Sequence, residues 1–328
     1  MTVIDTVNES STESDLKMLW VELTTTCNLA CVHCYADSGP QVRDVNPLTL
    51  AEYSALLESA AASGCKSVQF IGGEPTLYRD LPALLDRARA CGFRDIEIFT
   101  NATHLSDELL ACITRNGIRL ATSFYSDDPA IHDAVTTRRG SHTQTVRNIR
   151  KIVAAGIELR VGIIAMDINS RRLGETEAFV HALGVSDVRV RRVQGIGRAA
   201  EEHQAGDMGE LCGSCATGLA CVSPTGVVTP CVMSRAWPVG SVRESALSDI
   251  LVSDTLRDVR SRIGAATRPG RLSDDPSVIP CFPDRECSPD KQCTPDKQCT
   301  PDKQCVPDSG CSPDITCQPR DPCSPKEY

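Results

Sequence analysis

Between residues 17 and 200 the chain alternates short strand-like runs with helix-like runs, and no other feature restricts its fold as much. The strand candidates are residues 18–24, 67–73, 95–101, 119–126, 158–166 and 187–194, all short and rich in β-branched or apolar side chains. Helical patterns lie between them. Thr49-Leu50-Ala51-Glu52 reads as a capping box opening a helix that ends near Gly64. Further helices are expected over 81–90, 107–116, 143–155 and 173–183, each closely followed by a glycine, the usual stop. Successive strands joined through helices run parallel, because a short hairpin is not available to them. The pattern therefore predicts an α/β fold, a partial (β/α)6 TIM-like barrel with active groups on the loops at the C-terminal strand ends.

The remainder of the chain is organised differently. Its 328 residues suffice for one large domain of about 200 residues and a smaller appendage. Residues 1–16 are polar and read as a disordered N-terminus, 17–204 as the barrel, and 205–265 as a small cysteine-rich domain. That small domain includes a helical stretch over 246–262. Residues 266–328 form a linker and a low-complexity tail, in which Cys281, Cys287, Cys293, Cys299, Cys305, Cys311, Cys317 and Cys323 recur every six residues. Proline follows each of them two positions later, and aspartate three later in the first six, leaving few apolar side chains for a core.

Eighteen cysteines demand a role. The first residues carry no apolar run of a secretory signal, so a cytoplasmic, reducing location is expected, where clustered cysteines serve metals more often than disulfides. No apolar run is long enough for a membrane span. A net charge of −9 and only 4% aromatic residues argue against nucleic acid as a partner. Cys65, Cys91 and Cys112 sit singly in apolar stretches and read as buried small hydrophobes. His104, His132, His142, His181 and His203 show no metal-site spacing.

Cys27, Cys31 and Cys34 follow directly on the first strand, in Cys27-Asn28-Leu29-Ala30-Cys31-Val32-His33-Cys34. A Cys-x3-Cys-x2-Cys loop can wrap three thiolates around three irons of a [4Fe–4S] cube and leave the fourth iron open, and soft thiolates suit such a cluster. Zinc is the alternative, but structural zinc takes four ligands at paired spacings, and no fourth lies nearby.

This loop resembles the signature of the radical S-adenosylmethionine (SAM) superfamily. Gly72-Gly73-Glu74-Pro75, at the end of the second strand, looks like the family's GGEP motif, in which backbone and glutamate hold the SAM amino group. The resemblance also implies a polar contact from Ser123 on strand four. It gives a SAM-carboxylate arginine at Arg138, favoured over Arg139, since a guanidinium fork suits a carboxylate. His33 stands where the family often has an aromatic residue against adenine. Gly195-Ile196-Gly197 permits a close backbone approach to that base or forms a plain turn. The implied activity is reductive cleavage of SAM to a 5′-deoxyadenosyl radical, with electrons from an external flavodoxin- or ferredoxin-type donor.

Cys212 and Cys215 form a CxxC pair, and Ser223-Pro224-Thr225-Gly226 reads as a hairpin turn bringing Cys221 and Cys231 together. These four thiols can hold an auxiliary iron–sulfur cluster or a zinc ribbon. The stretch looks like the SPASM or twitch extension of radical SAM proteins, which implies an auxiliary [4Fe–4S] cluster, one rather than two. That resemblance favours a ribosomally made peptide as substrate. The alternative is a small-molecule dehydrogenase or epimerase in natural-product or sugar metabolism.

Overall fold

The computed structural model describes residues 16–200 and 207–267; the expected N-terminal tail, His203 and the hexapeptide repeat lie outside the described residues. Six strands form the expected parallel sheet: β1 (Met18–Glu22), β2 (Ser67–Ile71), β3 (Asp95–Phe99), β4 (Arg119–Phe124), β5 (Leu159–Ala165) and β6 (Asp187–Arg192). Each strand pairs with the next in sequence, so the sheet winds in one direction, as a barrel wall does. The intervening helices are α1 (Leu50–Ala62), α2 (Leu81–Ala90), α3 (Asp107–Asn116), α4 (Pro129–Thr136), α5 (Ser141–Ala154) and α6 (Leu173–Ala182). The capping box of α1 is present: Thr49 Oγ1 accepts from Glu52 N at 3.3 Å, and Glu52 accepts from Thr49 N at 2.7 Å.

Alternation along the strands sorts side chains to two faces. Leu19, Val21, Val68, Phe70, Ile96, Ile98, Val161 and Ile163 are buried, as are Leu57, Leu84, Leu85, Ile113, Ile149 and Val180 on the covering helices. Each such side chain contributes about 1.5–3 kcal/mol by leaving water. The other face carries Trp20, Glu22, Gln69, Glu97, Arg119 and Arg160. Glu97 accepts from Gln69 Nε2 and, at 2.7 Å, from Arg160 Nη2. β3 and β5 are not neighbours, so Arg160 reaches Glu97 across β4 on this polar face, which lies opposite the face covered by helices.

The second cysteine segment extends the same sheet. β7 (Leu219–Val222) lies parallel to β1, and β8 (Val227–Thr229) and β9 (Gly240–Ser241) follow antiparallel. The expected hairpin forms, but its register places Cys221 opposite Thr229, so Cys231 lies just beyond the pairing. The single helix expected over 246–262 is two, α7 (Leu247–Leu251) and α8 (Asp254–Ala266), because Ser253 starts a new helix by accepting from Leu256 N at 3.1 Å. Helix α4 had no counterpart in the sequence reading. Asp128 caps it through Ala130 N at 2.8 Å, with proline at the first helical position. Cys65 and Cys112 are buried as expected, whereas Cys91 is half-buried at the end of α2. Among the described residues no helix is long and apolar enough to cross a membrane.

Candidate functional site

The loop leaving β1 is held from several sides. Asp44 accepts from Thr24 Oγ1, Thr25 N and Thr25 Oγ1 at 2.5–2.7 Å, fixing the chain as it leaves the strand. Farther along, Ala30 N donates to Thr136 O at 3.2 Å and Val32 N to Val135 O at 3.0 Å. Those carbonyls belong to the last turn of α4, where a helix leaves acceptors without partners of its own. The end of α4 is thus a template for the cysteine loop.

Gly72 and Gly73 close the loop's other side. Gly73 N donates to Thr24 O at 2.6 Å and Glu74 N to Thr26 O at 2.9 Å. A Cβ on Gly72 would lie 2.5 Å from Thr24 O, and one on Gly73 2.2 Å from Thr26 O. No side chain fits there, so the pair of glycines is what lets β2 dock on the cysteine loop. Gly197 (φ +61°) makes the same approach after β6, since its Cβ would meet Cys34 O at 2.4 Å. The Gly195-Ile196-Gly197 turn therefore abuts the cysteine loop's backbone. The next residue, Arg198, donates to Cys31 O at 2.9 Å and Ser38 O at 2.7 Å.

Cys27, Cys31 and Cys34 are brought within electrostatic reach of one another. Burial pushes the Cys27 thiol up to about 11 and the Cys31 thiol up to about 12, so the loop alone favours protonated sulfur. A cation at the sulfurs reverses that preference. Leu29 N and Asn101 Nδ2 point hydrogens at Cys27 Sγ, 3.4 and 3.7 Å away, as donors to a ligating thiolate do. Three soft donors at the barrel mouth, with N–H support, fit an iron–sulfur group that keeps one iron free of protein ligand.

Glu74 closes the turn after β2 from within. Its carboxylate is 0% exposed. Oε1 accepts from Thr76 N, Thr76 Oγ1 and Thr100 Oγ1, and Oε2 from Asn101 N, at 2.6–3.1 Å. These bonds fasten the turn to the loop after β3, and Oε2, with Asn101 N as its one donor, keeps an acceptor position. Pro75 is buried and opens a 3-10 turn over Pro75–Leu77. Ser123 is half-buried on β4 and hydrogen-bonds Tyr125, which also hydrogen-bonds Cys31. His33 packs edge-on against Tyr125, ring centroids 5.0 Å apart, and burial lowers its pKa to about 4. Arg138 Nη1 donates to Asn28 O at 3.2 Å, while Arg139 is exposed. Tyr125, Asn101 and Arg198 escaped the sequence reading.

Of the second group, Cys215 Sγ and Cys231 Sγ stand 3.0 Å apart, with Cys212 hydrogen-bonded to Cys215. These contacts push the Cys215 thiol far up, while the Cys215 contact holds Cys231 down, as when one thiol donates to a thiolate. Tetrahedral zinc with bonds of about 2.3 Å keeps sulfurs about 3.8 Å apart, wider than this pair. Among the described residues no three metal-ligating side chains form a ready-made metal-ion site. Cys221 lies behind, buried on β7; burial first and then Glu22 push its thiol up. Glu22 and Arg235 form an ion pair that ties this segment to β1.

Two family models match the chain: the radical SAM superfamily over residues 21–180, and SPASM, an iron–sulfur cluster-binding domain, over 212–287. The chain belongs to the radical SAM superfamily and carries a SPASM domain, and with these come a [4Fe–4S] cluster, SAM and an auxiliary iron–sulfur cluster. It is 26% identical over 179 residues to the subtilosin biosynthesis protein AlbA of Bacillus subtilis, covering 54% of this chain and 39% of that one. It is 28% identical over 202 residues to the mycofactocin maturase MftC of Mycolicibacterium smegmatis, covering 59% and 48%. A probable GTP 3′,8-cyclase of Methanopyrus kandleri is 29% identical over 143 residues, with 44% and 45% covered. The chain thus spans less than half the length of these relatives. Streptococcus suis SuiB bound to S-adenosylmethionine shares the fold, with a TM-score of 0.64 at 15% identity over 76% of this chain and 68% of that one.

Proposed function

We propose that this protein is a peptide-modifying radical SAM enzyme that binds its SAM-cleaving cluster through Cys27, Cys31 and Cys34. One observation carries the reading: the loop that holds Cys27, Cys31 and Cys34 within electrostatic reach of one another, just after β1, is locked to the neighbouring strand by Gly72 and Gly73. When bound, the cluster and SAM supply reductive cleavage of a carbon–sulfur bond and a 5′-deoxyadenosyl radical that takes hydrogen from substrate. The chain's own part is positional. Asp44, the end of α4 and Arg198 hold the loop, Glu74 holds the turn, and Ser123 and Arg138 flank the ligand. The polar face of the sheet receives substrate, and burial keeps water from the reacting groups. Cys212, Cys215, Cys221 and Cys231 serve the auxiliary cluster. Electrons come from an external flavodoxin- or ferredoxin-type donor.

The names of the subtilosin and mycofactocin relatives support a ribosomally made peptide as substrate. The match to a GTP 3′,8-cyclase favours a small molecule as the second reading. Replacing Cys27, Cys31 and Cys34 together by alanine should abolish 5′-deoxyadenosine formation, while iron and sulfide remain at the second group. A triple variant that forms 5′-deoxyadenosine at the normal rate would falsify the assignment. Mass change in a candidate peptide incubated with reduced enzyme and SAM separates the two substrate readings.

A further inference from the structure

The chain carries a net charge of −9, yet one face beside the cysteine loop is basic. Arg147, Arg150 and Lys151 share the exposed stripe of α5, spaced three and four residues apart, and Arg138 and Arg139 precede that helix. Among the described residues Arg139, Arg147 and Arg150 form no ion pair, and Lys151 meets only the exposed Asp107, at 3.2 Å. The nearby Asp133 is taken up by Gly140 N, Ser141 Oγ and His142 N. Arg147 and Arg150 thus carry charge outside any ion pair on this face, although Asp127 and Asp128 approach its end at His142.

Two cavities meet along the stripe. One, of about 700 Å³, has an apolar floor including Val146 and Phe179 and a rim of Arg147, Arg150 and Lys151. The other, of about 390 Å³, runs from Arg147 past Arg138 to Asn28, the residue after Cys27. Val32, between Cys31 and His33, is 49% exposed and is hydrogen-bonded to the end of α4. The smaller cavity, lined also by Leu77 and Thr103 from the loops after β2 and β3, brings the basic stripe to the residue beside Cys27.

The electron that an iron–sulfur cluster takes up has to come from a carrier able to approach the cysteine loop. We propose that the basic stripe of α5, with the Val146–Phe179 groove as its apolar centre, is the docking site of an acidic one-electron carrier protein. Complementary charge on such a surface raises the rate of encounter and makes it salt-dependent. The proposal rests on reading Cys27, Cys31 and Cys34 as the electron-accepting group.

The test uses the full chain with both clusters, a reduced flavodoxin as carrier, and dithionite as a chemical reductant. In R147E/R150E the KM for flavodoxin should rise about tenfold or more, and direct binding of oxidised flavodoxin without SAM should weaken in parallel. Its dithionite-driven 5′-deoxyadenosine formation and iron content should match the parent. Reversal at Arg94, exposed on the α2–β3 connection, should change neither. Flavodoxin affinity unchanged in R147E/R150E overturns the docking site. So does a variant that loses affinity for an acidic substrate peptide but keeps its flavodoxin KM. Failure of dithionite to drive the parent sinks the underlying reading of the cysteines instead.

Discussion

At the scale of single residues, the candidate site rests on groups that hold other groups. The Glu74 carboxylate receives donors on both oxygens with no exposure. Glu74→Gln sets an amide N–H against the donors Asn101 N or Thr100 Oγ1, whichever way it turns. An unsatisfied buried pair costs about 1–3 kcal/mol. Urea unfolding of the metal-free variant should show that loss, with weaker SAM binding following from a displaced turn; weaker SAM binding with stability unchanged would put the carboxylate on the ligand. His132 offers a pH test. Burial, and next to it His142, pushes it down to about 3. Above pH 6.5 folded and unfolded chains are both neutral there, so this histidine contributes nothing. As pH falls below 6.5 the unfolded chain takes a proton that the folded one refuses, and stability falls by about 1.4 kcal/mol per pH unit, or about 2 kcal/mol by pH 5. Urea titrations at pH 7 and 5 should show a slope that His132→Phe reduces. The cysteine triad and the glycine pair were legible because their spacing is local. Asn101 and Arg198 were not, since they reach Cys27 and Cys31 across 74 and 167 residues, a closeness that only the tertiary fold creates.

At the scale of elements, strands and long helices were readable because one face of each must be apolar, and that periodicity survives in a single sequence. Helix α4 was missed because it has only eight residues, too few to show a periodic face, although Asp128-Pro129 is a start signal. Its importance is out of proportion to its length, since its C-terminal carbonyls hold Ala30 and Val32. The break between α7 and α8 was lost for the opposite reason: apolar residues continue through Val252 and mask a new start. The cap that makes the break is testable. Ser253→Ala removes the acceptor for Leu256 N and should lower stability by about 1 kcal/mol, read as a shifted urea midpoint with unchanged slope. A midpoint that stays put would mean that packing of Leu256, Val259 and Ile263 alone sets the start of α8. The parallel pairing of β7 with β1 had no local signal either, for a four-residue strand chooses its neighbour through tertiary contacts.

At the scale of the whole molecule, the sheet makes one body of the two cysteine groups, because β1 feeds the first and pairs with β7 of the second. The Glu22–Arg235 pair fastens the same junction with buried charge, so removing either partner alone leaves an uncompensated ion near both groups. The SPASM match ends at residue 287, which takes in Cys281 and Cys287 and leaves Cys293 and the later repeats outside. We propose that Cys281 and Cys287, inside that match, join Cys212, Cys215, Cys221 and Cys231 as ligands of the second group. Two chain lengths should then behave differently. A chain ending at residue 288 should hold the iron and sulfide of the full protein, since the later repeats add nothing to either group. A chain ending at Pro280 should lose iron from the second group only, and with dithionite it should still form 5′-deoxyadenosine, because Cys27, Cys31 and Cys34 are braced by residues before 200. Iron analysis and product formation on the three lengths decide the matter. A chain ending at 288 that has lost iron would make the later repeats metal ligands. One ending at Pro280 that fills its first cluster yet cannot cleave SAM would tie the tail to the chemistry.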